Sequence, residues 1–321
     1  MKTYQLTLSP KTAFGSPILG ETLFGQLCIE IFHCFGEGKL RELLQGYTQG
    51  QPFAVISDAF PSGYIPLPSL PGTYWPQKPN DNRKALKKKA WIPLSLANQP
   101  SLQWRDNAFT DTELARELWK GKKLESLSIK TDDVVAHNSI NRLIQMTGEG
   151  MFAPYLQTKL WFLPGIHLDV YVVVDETRFS KEELVLAFRN IGLSGYGRDV
   201  SAGLGKFDVV GEISELPKIL PSCSRLALAS VVLEGLTDVE SSKTFYQVKT
   251  HFGRHGGGFA LTGNPFKNPL LLAKSGAVIT FKTPHDAPFI GKGISGVSAI
   301  KSETIHQGYS PVLALSEIRE M

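Results

Sequence analysis

The chain's histidines and cysteines are its candidates for proton transfer, metal ligation or nucleophilic attack, and neither set is spaced for the work. His33 lies between Phe32 and Cys34, beside an apolar stripe, with no Tyr or Lys nearby in sequence to complete a general acid–base set. His251 and His255 are four residues apart, which would bring two imidazoles to one face of a helix, but the glycines of the surrounding GRHGGG argue against a helix there. Cys28, Cys34 and Cys223 are odd in number and lack metal-site spacing, as fits reduced thiols. No metal, no cofactor and no catalysis are expected.

Groups suited to an anion are, by contrast, concentrated. The stretch GLSGYGRDVSAGLGKF, Gly192 to Phe207, holds Gly192, Gly195, Gly197, Gly203 and Gly205. So many residues without a Cβ imply either positive φ or the close approach of another backbone. Exposed N–H groups in such a loop form a concavity for phosphate, with Arg198, Ser194, Ser201 and Lys206 standing among them. The alternative is a surface bend whose glycines serve only the turn. Two further stretches add to the set. KPNDNRKALKKK, Lys78 to Lys89, carries six cations, including Lys84, Lys87 and Lys88, against Asp81 alone; its net +5 leaves about −1 for the rest of a chain of net charge +4. That is the footprint of a phosphate backbone partner, or else a solvated loop. In HNSINR, the side chains of Asn138, Ser139, Asn141 and Arg142 suit phosphate, ribose and base-edge contacts, unless they form only a polar surface hairpin.

The elements that must position these groups follow from period and punctuation. TYQLTLSP, Thr3 to Pro10, alternates as a strand. Thr22, Leu23, Phe24, Leu27, Cys28, Ile31 and Phe35 give one helical face ending at Gly36, with Gly25 marking a place where something packs close, and a second short helix follows from Lys39. QPFAVISDAF, Gln51 to Phe60, is a strand, and the proline-rich run after it an extended surface loop. Residues from about 71 to 131 read as a long insertion of little apolar periodicity, holding the basic block and a charged helix, Asp111 to Lys123. GIHLDVYVVVDE is a strand and SKEELVLAFRNI, Ser180 to Ile191, a helix. The glycine stretch then falls between helix and strand, the reverse of Walker and Rossmann loops, so neither an NTPase nor a dehydrogenase is expected. The order is that of a βαββαβ domain. After it come mostly strands, with a second glycine-rich loop at Pro288 to Ser298 and little helix. At 321 residues two domains are expected, 1–215 and 216–321. No apolar run is long enough for a membrane helix and no apolar signal core opens the chain, so a cytoplasmic location is expected.

A βαββαβ domain with a glycine-rich loop before its last strand, joined to a degenerate second one, resembles the RAMP superfamily of CRISPR proteins. ILGETLFGQL, VISDAFPSGYIPLP, HNSINR, GYGRDVSAGLGKF and TGNPFKNPLLLAKSGAVITF are similar, in that order, to the fourth-subunit family of type III-A (Csm) effector complexes. The resemblance implies an α+β fold of two ferredoxin-like (RRM-like) domains, the second degenerate. It implies a non-catalytic ribonucleoprotein subunit for antiviral defence, binding the 5′ handle of the crRNA and the guide–target RNA duplex. Its partners would be the large polymerase-like subunit and a backbone RAMP subunit. A β-hairpin thumb that wedges the duplex is expected within 71–131. Asn138, Ser139, Asn141 and Arg142 match the family's RNA-contacting hairpin. Gly195, Tyr196, Gly197, Arg198, Ser201, Gly203 and Gly205 match its glycine-rich loop, with Tyr196 and Phe14 as stacking platforms. The rival within the superfamily is an endoribonuclease that processes repeat RNA with His33 as general acid/base.

Overall fold

Two antiparallel sheets joined along one seam carry the chain, whose computed structural model describes residues 1–75, 82–119, 127–256, 264–316 and 318. In chain order, β1 (Lys2–Pro10) leads to α1 (Gly20–Leu44), then β2 (Ala54–Ile56), β3 (Phe60–Pro61) and β4 (Tyr64–Pro66). A single helical turn, α2 (Arg83–Leu86), β5 (Trp91–Pro93) and α3 (Asp111–Leu118) precede a long hairpin of β6 (Lys130–His137) and β7 (Tyr155–Phe162). Next come β8 (Leu168–Val174), α4 (Lys181–Ser194) and β9 (Phe207–Glu215), which lies against β1 in a sheet ordered β2-β8-β1-β9 with β3 also on β8. Every pairing within this sheet is antiparallel. All seven residues of β8 are buried, as three successive valines on the sheet's centre require. Ser180 and Glu183 cap the start of α4 reciprocally.

Glycine sets two features of α1. Gly36 sits at φ 85°, dividing the helix into the two helices expected from the sequence. The close approach expected at Gly25 occurs instead at Gly20, where a Cβ would stand 2.2 Å from the Ile56 carbonyl; Gly25 has open space around it. Beyond the break, Arg178 donates to the carbonyls of Glu42, Leu43 and Gln45 and so closes the carboxyl end of α1.

The second half consists of β10 (Ser222–Ala227), β11 (Val248–His251), β12 (Leu270–Ala273), β13 (Val278–His285), β14 (Phe289–Ile294) and β15 (His306–Ala314). Four of these form a sheet ordered β13-β10-β15-β14, β11 and β12 form a ribbon, and no α-helix occurs among its described residues. The loop expected at Pro288 to Ser298 is instead largely strand β14, paired with β15 from Phe289 to Ile294. Its glycines serve close packing, since a Cβ on Gly291 would lie 2.3 Å from the Gly308 carbonyl and one on Gly293 2.6 Å from Tyr47. The 71–131 insertion likewise differs from the loop expected. Tyr74, Trp75, Ile92, Ala97 and Trp104 are buried in one cluster with Leu226, Leu228 and Val278 of the second half. A few large aromatic anchors hold it there, and anchors of that kind leave no period to read.

Gln307 forms the seam. Its fully buried amide accepts from the Ile56 N–H at 2.9 Å and donates to the Ile56 carbonyl at 2.8 Å, completing the free edge of β2 as a neighbouring strand would. Beside it, Asp58 N–H donates to the Leu228 carbonyl and Tyr309 hydroxyl to the Tyr47 carbonyl. Under the seam lies a buried polar cluster: Lys249 Nζ stands 2.6 Å and His251 Nδ1 3.3 Å from Glu21 Oε1, with the His306 ring 5.0 Å from that of His251. Burial and nearby His251 and Lys267 push the His306 pKa down to about 3, and burial lowers that of His251. Burial and then the Glu21 charge push Asp58 up to about 7. His251, expected to form no metal site with His255, is used in this cluster; His255 bonds Ser298 at 2.8 Å.

Gln307→Leu keeps the volume and leaves both polar groups of Ile56 buried without partners, so it should cost about 2–4 kcal/mol in urea unfolding at an unchanged m-value. A loss below about 0.5 kcal/mol would show that the seam does not depend on this amide. For His306, the folded value near 3 lies below the unfolded value of 6.5, so its unfavourable contribution is absent above pH 6.5 and grows as pH falls toward 3. Asp58, raised in the folded state, acts in the opposite sense between its ordinary value of 3.8 and about 7. Comparison with His306→Gln isolates the histidine: the variant should gain on wild type by about tenfold in folding constant per pH unit below 6.5. A difference independent of pH would contradict this.

Candidate nucleic-acid interface

The β6–β7 ribbon stands away from the body. Its strands pair over eight positions, from Lys130↔Phe162 at the base to His137↔Tyr155, and apart from the bridge Phe14↔Leu160 they pair only with each other. Asn138, Ser139, Asn141 and Arg142 lie just beyond the last pair, where Asn141 bridges to Met146 and its Oδ1 accepts from the Leu143 N–H. Asn138, Ser139 and Arg142 are exposed. So are apolar neighbours: Leu143 is 95% exposed, Ile140 59%, Ile144 60% and Met146 63%. Exposed apolar side chains gathered in this way make the tip a candidate interaction surface. This ribbon protrudes, whereas within 71–131 Tyr74, Trp75, Ile92, Ala97 and Trp104 are packed down, and residues 76–81 and 120–126 lie outside the described residues.

The glycine loop is the second part, and its geometry differs from the open cradle of amides expected. Gly195, Gly197, Gly203 and Gly205 all have positive φ. A Cβ on Gly205 would lie 2.1 Å from the Tyr196 carbonyl, one on Gly195 2.6 Å from the Leu204 carbonyl, and one on Gly15 2.3 Å from the Arg198 carbonyl. The loop is folded back on itself and pressed against the segment between β1 and α1. Gly205 N–H donates to the Ala13 carbonyl and Tyr196 N–H to the Gly205 carbonyl. Both readings of these glycines hold: Gly195 and Gly205 combine positive φ with close backbone approach, Gly192 serves close approach to the Phe207 carbonyl, and Gly197 and Gly203 have positive φ with no backbone close by.

Tyr196 and Phe14 are therefore corrected as stacking platforms, because both rings are fully buried. Tyr196 hydroxyl donates to the Pro17 carbonyl at 2.8 Å and accepts from the Leu19 N–H at 2.9 Å, fixing the entry to α1. Burial raises its phenol pKa far from ionisation. One ring of the ribbon that could stack a base is Tyr155, missed in the sequence: it is 54% exposed and lies nearly parallel to His137 at 5.6 Å. Only the cross-strand register, which sets His137 opposite Tyr155, reveals the pair.

Arg198 joins the two parts. Half exposed, its guanidinium donates to the Thr158 carbonyl of β7 at 3.0 Å and lies 3.0 Å from Asp199. Thr158 pairs with Val134, three positions short of the tip-side end of the ladder, so Arg198 and Arg142 serve the same ribbon at points more than about 10 Å apart. Ser201 is exposed beside Arg198 in the loop. Lys84, Lys87 and Lys88 are exposed at and after the single turn α2, whereas Lys89 is tied to the Ala108 carbonyl and Glu113. Lys78 and Asp81 of this block, and residues 120–123 of the expected charged helix, lie outside the described residues. His33 is exposed on α1 with Phe32 as its ring neighbour at 5.8 Å.

Below the ribbon's base opens a cleft of about 590 Å³ that the sequence did not announce, between the Phe14–Leu19 segment, the Asp58–Pro61 turn, Trp91 and the lower ladder. Its residues come from widely separated stretches of chain, so no local pattern could have collected them.

No family model matches the chain, and no curated protein matches its sequence. Solved structures match its fold end to end. A chain of the Csm3–Csm4 subcomplex of the type III-A CRISPR-Cas interference complex superposes with a TM-score of 0.60 at 15% identity, over 98% of this chain and 100% of that one. Chains of the Csm1–Csm4 cassette with pppApA and with cA4 each give 0.56, at 18% and 16% identity, over 99% of this chain and 100% of theirs. Csm4 is the component these assemblies share, and this chain has a Csm4-like fold, of mixed α and β structure with mostly antiparallel sheets.

Proposed function

We propose that this chain is a non-catalytic subunit of a type III-A (Csm) CRISPR effector complex. In this reading it holds the 5′ handle of the crRNA and links the large polymerase-like subunit to the backbone subunits. The observation that carries it is the full-length correspondence of fold with chains crystallised in Csm1–Csm4 and Csm3–Csm4 assemblies. We read the βαββαβ order of the first sheet as a ferredoxin-like domain, and the four-stranded second sheet as its degenerate partner.

The ribbon tip is the RNA-contacting part. A single strand is held by splaying its nucleotides, stacking bases on planar side chains and fixing phosphates with cations. Tyr155 offers the ring, Asn138 and Asn141 the amides for base edges, and Arg142 and Arg198 the charges. Ile140, Leu143 and Ile144 give the tip an apolar wedge against a guide–target duplex, the role first sought in the 71–131 insertion. Lys84, Lys87 and Lys88 extend the cationic surface. Gly195, Gly197, Gly203 and Gly205 contribute by shaping the loop that sets Arg198 on Thr158.

An RNA beginning with the repeat-derived handle, titrated into the chain at several salt concentrations, tests this. Arg142→Ala and Arg198→Ala should each weaken binding and flatten the salt dependence by about 0.7 in log–log slope for each phosphate left without its cation. Tyr155→Ala should cost about 1–3 kcal/mol. His33→Ala should bind as wild type does, and neither protein should cut repeat RNA. Unchanged binding in both arginine variants would remove the site proposed here, and cleavage lost with His33 would replace the function.

A further inference from the structure

We propose that the cleft beneath the ribbon's base receives a basic side chain, carried next to an apolar residue, from a partner polypeptide. The proposal does not depend on the RNA reading. The floor is apolar, formed by Ile18, Leu160, Phe162, Ile166 and Leu168. The volume of about 590 Å³ is that of a pocket for a ligand of a few side chains. Its polar wall is acidic: Asp58, Asp111 and Asp132 line it with Lys130 as the one lysine or arginine among the lining residues.

These groups are not equivalent. Lys130 Nζ stands 3.6 Å from Asp111 and 5.8 Å over the Trp91 ring, and Trp91 Nε1–H donates to Asp111 at 2.6 Å, so that carboxylate is already balanced. Asp58 is engaged as well, accepting from the Gly20 N–H and the Ser275 hydroxyl. Asp132 is exposed and projects on the same face as Lys130, two positions along β6 and opposite Leu160. The site therefore offers a carboxylate at its rim above an apolar floor. Lys130 shows what such a surface takes, a cation over a ring with a carboxylate beside it. A phosphate backbone would meet Asp132 as a like charge, which favours a polypeptide over RNA as the occupant.

Methyl NMR on the intact chain tests this with N-acetyl-leucyl-arginine N-methylamide as the probe. Saturable shifts are expected at Ile18, Leu160, Ile166 and Leu168, diminishing with salt. Asp132→Asn should weaken binding about fivefold, in line with one exposed ion pair, and Asp132→Lys should abolish it. Asp133→Asn, on the opposite face of β6, should bind as wild type does. Should Asp132→Lys not fold, Asp132→Asn still decides. Absence of saturable shifts at millimolar probe, equal binding of the leucyl-glutamate analogue, or occupation of these methyls by a short oligoadenylate instead would each overturn the proposal.

Discussion

A single carboxamide closes the free edge of a β-sheet in this molecule, and much of the architecture depends on it. β2 is three residues long and pairs on one side only with β8. On the other side both polar groups of Ile56 would face an apolar interior, where an unmade hydrogen bond costs more than a made one contributes. Gln307 supplies donor and acceptor together, and the backbone around it threads the two halves into shared clusters: Tyr309 packs with the first sheet, and Phe60 and Tyr171 with Leu226 and Val278. The halves consequently share a core in place of a linker. Glu21, Lys249, His251 and His306 lie where this seam meets the start of α1, and charge pairing there accompanies the loss of water around them.

The glycine loop connects the body to the ribbon. Tyr196 locks the segment before α1 from inside, and Gly15 allows the Arg198 carbonyl to come within reach of that segment. Arg198, on the outside of the same loop, holds Thr158 in mid-ribbon. A glycine-rich loop thus forms a bracket between the body and a projecting arm, with its cation left half exposed at the joint.

The arm differs in character from tip to base. The tip carries Arg142 among exposed apolar residues, the base carries Lys130 and Lys159 with Asp132 and Asp133, and the cleft beneath presents Asp132 at the rim of an apolar floor.

From the sequence alone, the local elements of the first half could be read. Alternation in TYQLTLSP, the valine run of β8, the Ser180–Glu183 cap and the break at Gly36 are encoded within a few residues each, and the βαββαβ order followed from them. That Asn138 to Arg142 belong to a hairpin was expected from the sequence, but their place beyond its last pair, His137↔Tyr155, is set by the cross-strand register. What the glycines of 192–205 and 288–298 meant was decided only by tertiary structure, because missing Cβ atoms permit an open cradle, a bend or close packing alike, and only the neighbour at 2.1 Å from Gly205 or 2.3 Å from Gly291 distinguishes them. Burial of Tyr196, exposure of Tyr155, the packed insertion and the acidic cleft were likewise set by contacts between residues far apart in the chain, which no local period records.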